Sequence, residues 1–438
     1  MEKYDVAIIG AGLGGLECAY ILAKAGKKVI VLEKNKQYLG GCLQTFERKG
    51  HKFDTGFHYV GGLDEGQPLN RIFKYFGLMD LPWKKMDEDC FDEVIYKGKS
   101  YKFKNGYDAF LNQMIEYFPL QKANLEKYVA DLKEIGDNIF DSLNKTPQEM
   151  MDPNSPFVRK ALPYLRETFS DEDLINVLSG TSPKMPLNEK LPLYHFLQIN
   201  ASFIKSAYRL CGGGMQIADS LVDSIKSFSK ENRVLLDAKV TKLNDEGDGI
   251  AKTVEYESKS GVRSIIEVAE AVISNIHPAS FIPMISGTKV LRSFQYKTQA
   301  RGDNSFGMFT ANLAIKPNTL KYQNRNVYIH ESSDVWGEAW QTADNKPSAV
   351  LVSFAVPKEG DYVDNIDILT PMLWSDVAKF DGTEPMKRGK EYDDFKRSKT
   401  NQLLDVVERY MPDIKDCIDW NCVWESTPLT YKDYTGTA

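Results

Sequence analysis

At 438 residues the chain is too long for one hydrophobic core, so two or three domains are expected. A formal net charge of −6 with scattered Lys and Arg argues against nucleic acid as a partner and against strong attraction to anionic lipid. No apolar run reaches the roughly 18–20 residues of a membrane span, and the six cysteines and five histidines show no CxxC, HxxxH or HExxH spacing, so no disulfide framework and no metal site is expected.

The chain opens on Tyr4-Asp5-Val6-Ala7-Ile8-Ile9, a run of strand length beginning too early for a signal peptide to precede it, which sets a cytoplasmic expectation. Gly10-Ala11-Gly12-Leu13-Gly14-Gly15 follows, then a helical run to Gly26, then Lys28-Val29-Ile30-Val31-Leu32-Glu33. Strand, glycine loop, helix and second strand in this order make a dinucleotide fingerprint. Gly10 serves the tight turn, Gly12 lets the backbone approach a pyrophosphate, and Gly15 lets the helix pack on the strand. The helix N-terminus, at Gly14, offers bare N–H groups and a positive dipole end to phosphate. Glu33 stands about 20 positions beyond Gly12, the separation of an acid that grips a ribose 2′-OH. Such an acid fits FAD or NAD and repels a 2′-phosphate. Lys34, next to it, is grouped with the cofactor residues.

Tyr38-Leu39-Gly40-Gly41-Cys42 and Phe53-Asp54-Thr55-Gly56-Phe57-His58-Tyr59 come next. A glycine doublet past an acid-ended strand, followed by a Phe-Asp-Thr-Gly turn, resembles the FAD amine-oxidase-type superfamily, and within it the phytoene desaturase, carotenoid isomerase and retinol saturase group. The resemblance implies that Gly40 and Gly41 approach the flavin ribityl and pyrophosphate. Many members carry arginine directly after the doublet, where this chain has Cys42. His58, beside the turn, is the one candidate for acid–base work near neutral pH, with a hydrogen-bonded structural histidine as the plainer reading.

Further along, Pro68–Gly77 reads as a short helix, Phe91–Ile95 and Ser100–Phe103 as a hairpin, and Tyr107–Phe118 and Asn124–Leu143 as helices. Asn144–Pro156 reads as a loop and Phe157–Leu178 as helix interrupted at Pro163. Leu193–Leu210 reads as one helix, apolar on most sides, either core or the wall of a tunnel for a greasy substrate. Cys211-Gly212-Gly213-Gly214-Met215 then opens a helix to Phe228. By the same resemblance this turn returns the chain to the nucleotide domain, Val240 lies against the adenine through its main chain, and Ala271-Val272-Ile273-Ser274-Asn275 closes that domain, so that Asn275 joins the cofactor residues.

Beyond Lys289, strands are expected at Met308–Ile315, Val327–His330 and Ala349–Val356, and helices at Ile366–Phe380 and Asp394–Tyr410. Trp336, Trp340, Phe354 and Trp374 are candidates to face a ligand, though aromatics in such a region are more often core.

The fold class expected is α/β: a discontinuous Rossmann-type FAD/NAD(P)-binding domain over 1–75 and 205–285, an inserted helical and hairpin region over 76–204, and an α+β substrate domain over 286–438 with an antiparallel sheet and helices. Family members carry a last glycine-rich segment that covers the flavin. The sequence closes at Tyr434-Thr435-Gly436-Thr437-Ala438 without it, so a truncated chain or a natural variant with weak FAD binding is expected. The resemblance implies an FAD-dependent oxidoreductase, with NAD(P)H as a candidate electron donor, acting on a small apolar conjugated substrate by saturation, desaturation or isomerisation. A flavin amine oxidase or porphyrinogen oxidase relative, and a non-catalytic dinucleotide-binding or interaction protein, stay open. So do peripheral membrane contact and the oligomeric state.

Overall fold

Strand β1 (Glu2–Ile9), helix α1 (Leu13–Lys24) and strand β2 (Val29–Leu32) form where the fingerprint placed them. They are seen in a computed structural model that describes residues 1–285, 287–290, 306–337 and 346–436. β1 is the centre of a six-stranded sheet because its side chains are buried on both faces, Ile8 against the helices and Ile9 against the other side. β2 pairs with it in parallel, Val6 opposite Val29, and Arg233–Leu235 extends the sheet beyond β2, also in parallel. On the other edge of β1 runs Arg263–Ser274, parallel to it, then Ala251–Glu257 and Lys239–Asp245, both antiparallel to their neighbours. The expected closing strand at Ala271–Asn275 is thus the end of a longer strand, Arg263–Ser274, whose two edges serve β1 and Ala251–Glu257. α1 and the helix Met215–Phe228 cover one face through Leu16, Ala19, Ala218 and Leu221.

A second, seven-stranded sheet has the order Ile418–Ser426, Gly307–Ile315, Asn365–Met372, Ala349–Phe354, Asn326–His330, Asp92–Tyr96, Lys99–Phe103. The last two strands are the hairpin of the inserted region, and Asp92–Tyr96 joins Asn326–His330 in parallel. Insertion and C-terminal region therefore share one sheet. Helices cover both faces: alternate side chains Tyr328 and Ile329 enter different cores, one with Phe196 and Leu197 of the helix Leu193–Lys205, the other with Leu403 and Leu404 of the helix Lys390–Glu408. The segment expected as a helix at Ile366–Phe380 begins instead as the central strand Asn365–Met372, followed by short 3-10 turns. The β-branched run Ile366, Ile368, Thr370 suits a strand buried on both faces, and an apolar run of that length does not by itself distinguish the two periods.

Leu193–Leu210 is also divided. The helix ends at Lys205, Ser206 is extended, and Ala207–Leu210 becomes a strand between Val60–Gly61 and Trp83–Lys85. Gly61 makes that junction close: a Cβ there would lie 2.2 Å from the Ser202 carbonyl oxygen. The expected loop at Asn144–Pro156 holds one helical turn, Pro147–Met150, capped by Thr146 and Glu149.

At the end of Asn326–His330, the buried His330 Nε2 donates to the Gly180 carbonyl at 2.6 Å, and burial lowers its pKa to about 4. Lowered in the folded state, this group favours folding above the unfolded value near 6.5 and ceases to as pH falls toward 4, because the unfolded chain takes up the proton first. Wild type should therefore lose stability relative to His330→Gln as pH falls from 6.5 to 4. Denaturant midpoints measured across that range check this.

Candidate functional site

The fingerprint residues converge on one crevice at the C-terminal ends of β1 and β2. Gly10 turns with φ +97°, and a Cβ on it would meet Asn275 O at 2.9 Å. A Cβ on Gly15 would stand 2.2 Å from Gly10 O, so this glycine sets the closeness of helix and strand. Gly12 is different: a Cβ on it meets nothing nearer than Asn275 Oδ1 at 3.9 Å, and it starts α1 with no side-chain cap. Glu33, 7% exposed, turns its carboxylate to this loop, accepting from Ala11 N–H at 3.0 Å and Asn35 N–H at 2.9 Å.

Asn275 is held by its N–H on Ile9 O at 2.9 Å, and its amide nitrogen stands 2.9 Å from where a Gly14 Cβ would be. Gly40 donates to Ala11 O at 2.7 Å and bridges to Gly12, while Gly41, with φ +59°, would place a Cβ 3.3 Å from Gly12 Cα. Cys42 beside them is exposed. Ala238 N–H donates to Glu33 O at 2.8 Å, which brings the buried Val240 strand alongside. Lys34 points its ammonium to Asp433 O at 3.4 Å, on the helix Pro428–Thr435, and burial lowers its pKa.

The crevice fits a dinucleotide on this chain's own terms. It has an open glycine face at a helix N-terminus and a buried acid anchored beside it. Two buried polar atoms flanking it, Ser274 Oγ and Gln44 Nε2, have no hydrogen-bond partner among the described residues.

A second feature lies beside the seven-stranded sheet, between it and the segments 51–58 and 209–213. A cavity of about 680 Å3 is lined by Asp54, His58, Arg209, Gly213, Phe354 and Asp367, among others. Asp54 accepts Gly214 N–H at 2.9 Å. His58 Nδ1 lies 3.4 Å from Asp367 Oδ2, and Asp367 Oδ1 accepts from Asn312 Nδ2 at 2.6 Å. His58 Nε2 is buried without a hydrogen-bond partner among the described residues. Burial pushes the Asp54 carboxyl up to about 7; the Gly214 N–H opposes this, the Asp367 charge adds to it, and His58 and Lys52 oppose it. Arg209 donates to Phe354 O, to Arg325 O at 2.9 Å and to Asn326 Oδ1 at 2.8 Å, tying the short sheet to the large one.

Of the aromatics named from the sequence, Trp336 is core, with its indole N–H on Ser179 Oγ at 2.7 Å. Phe354 is fully buried at the cavity wall, Trp374 packs on the second core under Lys432, and Trp340 lies outside the described residues. Sequence reasoning named His58 but neither Asp367 nor Arg209, and quoted Asp54 only as part of a turn. The one local signal was an acid four residues before His58 in a glycine turn.

A family profile described as an NAD(P)-binding Rossmann-like domain matches residues 8–76. An all-trans-retinol 13,14-reductase of Danio rerio is 26% identical over 470 residues, covering 99% of this chain and 76% of the relative. Prolycopene isomerase 2 of an Oncidium hybrid cultivar is 27% identical over 269 residues, covering 55% of this chain and 44% of the relative. Among solved structures, cyclohexylamine oxidase from Brevibacterium oxydans shares the fold with a TM-score of 0.59 at 16% identity, covering 99% of this chain and 86% of that one.

Proposed function

We propose that this chain is an FAD-dependent oxidoreductase that binds FAD in the glycine crevice and exchanges hydride with an apolar, conjugated substrate of retinoid or carotenoid type, a reading that its relatives support. The observation that carries the reading is Glu33: a buried carboxylate anchored on Ala11 N–H beside the open face of Gly12.

Gly12 and the N-terminus of α1 would hold the pyrophosphate, Glu33 the ribose, the Val240 strand the adenine and the Gly40–Gly41 turn the ribityl chain. When bound, the flavin supplies hydride transfer. This chain's own residues bind it, seat the substrate against it and manage a proton. The retinol reductase and prolycopene isomerase relatives support saturation or isomerisation of a polyene. A reduced nicotinamide dinucleotide is the proposed electron donor. Among the described residues no helix is long and apolar enough to cross a membrane, and peripheral contact with lipid is the proposed route to a greasy substrate.

The test is spectroscopy and mass analysis of the full chain with added FAD, then anaerobic turnover with retinoids and carotenoids. Flavin bands with polyene turnover are expected. A chain that takes up no flavin overturns the reading, and peroxide release with amines in place of polyene turnover favours the amine oxidase alternative that the shared fold supports.

A further inference from the structure

We propose that Asp54, which shares one cavity with the His58–Asp367 pair, is the proton donor and acceptor for a substrate held there, a role that rests on the flavin reading above. The three groups come from three parts of the chain: the strand His51–Asp54, the turn after it, and the strand Asn365–Met372 of the other sheet. All three line the 680 Å3 cavity. His58 Nδ1 faces Asp367, and Asp54 feels both groups through space. Burial and like charge then favour a proton on the carboxyl with fewer charge partners. Asp367 has the hydrogen bond from Asn312 and the imidazole of His58. Asp54 has the single N–H of Gly214, and its carboxyl is pushed up to about 7 by burial first. A carboxyl half-protonated at neutral pH gives or takes a proton with equal ease.

Other charges surround Asp54. Lys52, on the same strand as Asp54, donates to Gly212 O at 3.0 Å and holds the Asp54 value down. His51, Arg209, Lys358, Glu359 and Asp364 line the rest of the cavity, and the Tyr431 hydroxyl feels the Asp367 charge.

In the saturating direction one C=C bond becomes C–C. The hydride comes from two-electron-reduced flavin, itself reduced by a nicotinamide dinucleotide. The proton leaves the Asp54 O–H for the neighbouring carbon, and the carboxylate left behind regains a proton from water. Desaturation runs the same path backward, with Asp54 as the acceptor.

The test uses the full chain with Asp54→Asn and Asp367→Asn. Asn keeps the oxygen that takes the Gly214 N–H, so the turn is retained. In FAD-loaded protein, Asp54→Asn is expected to slow polyene reduction about a hundredfold, to leave flavin reduction by the donor unchanged, and to remove the pH dependence centred near 7. Without any cofactor, the labelled Asp54 carboxyl carbon should show an inflection near pH 7, moved downward in Asp367→Asn, which removes a neighbouring negative charge. An Asp54→Asn enzyme with full rate and an unchanged profile overturns the proposal and leaves the flavin reading standing, as does an Asp54 carboxyl carbon without the inflection near pH 7. Failure of the wild type to load flavin overturns the functional reading itself, and this role with it, by a separate result.

Discussion

Gly12→Val is expected to lower FAD affinity at least about a hundredfold, roughly 2.8 kcal/mol, while leaving the unfolding midpoint of the cofactor-free chain nearly unchanged. The reason is where the new atoms go. Gly12 has φ −72° and ψ 174°, extended backbone that any residue adopts, so no strain is added. The first added carbon meets no protein atom closer than 3.9 Å, whereas the path to the N-terminal amides of α1 is the space it fills. Gly15→Ala is the control with the opposite character. Its methyl would press on Gly10 O at 2.2 Å, so helix and strand must separate, and stability falls together with binding. Flavin titration and denaturant unfolding of both variants separate the two effects. Normal flavin loading of Gly12→Val would remove the crevice as the cofactor site.

The largest loss of stability is expected at Asp92→Ala, about 3–5 kcal/mol. Asp92 is 0% exposed and accepts from Lys184 Nζ at 2.8 Å, Tyr59 O–H at 2.8 Å and Asn326 Nδ2 at 2.9 Å. Lys184 is enclosed in turn, its ammonium 4.1 Å from the Phe203 ring centre and 5.0 Å from that of Tyr59. Burial lowers the Lys184 pKa and the Asp92 charge opposes it, so removing Asp92 leaves a desolvated cation with no counter-charge. The double change Asp92→Leu with Lys184→Met removes both charges together and should recover much of the loss. Urea unfolding of the single and double variants checks this, and a single-variant loss below about 1 kcal/mol would refute the account. Tyr59 adjoins His58, so the weakened fold would also loosen the cavity wall.

The nucleotide crevice was legible because its requirements are local. Glycines at Gly10, Gly12 and Gly15 and an acid at Glu33 are read from a few dozen consecutive residues, and each answers to a steric or electrostatic demand of one turn. The second sheet was legible only in part. Gly307–Ile315, Asn326–His330 and Ala349–Phe354 follow apolar runs, but Asn365–Met372 has Asn365, Asp367, Thr370 and Pro371 among its apolar residues, and only its burial between two helical layers decides for a strand. The pairing of Asp92 with Lys184, and of His58 with Asp367, carries no local signal. Each joins residues that nothing but the finished packing brings together, and a buried acid reads in sequence like an exposed one.

The parallel pairing of Asp92–Tyr96 with Asn326–His330 sets a timetable for synthesis. Asp92 and Asn326 are 234 positions apart. At the pace of a ribosome the hairpin waits roughly 10–50 s for its neighbour. During that wait both of its flanks are unpaired, an invitation to sticking between nascent chains. Lys97 in the turn and Lys99 and Lys102 on the outer arm, all still exposed in the folded protein, supply like-charge repulsion through that interval. Replacing those lysines with neutral residues should therefore reduce the yield of soluble chain more than it changes the stability of the chain once made.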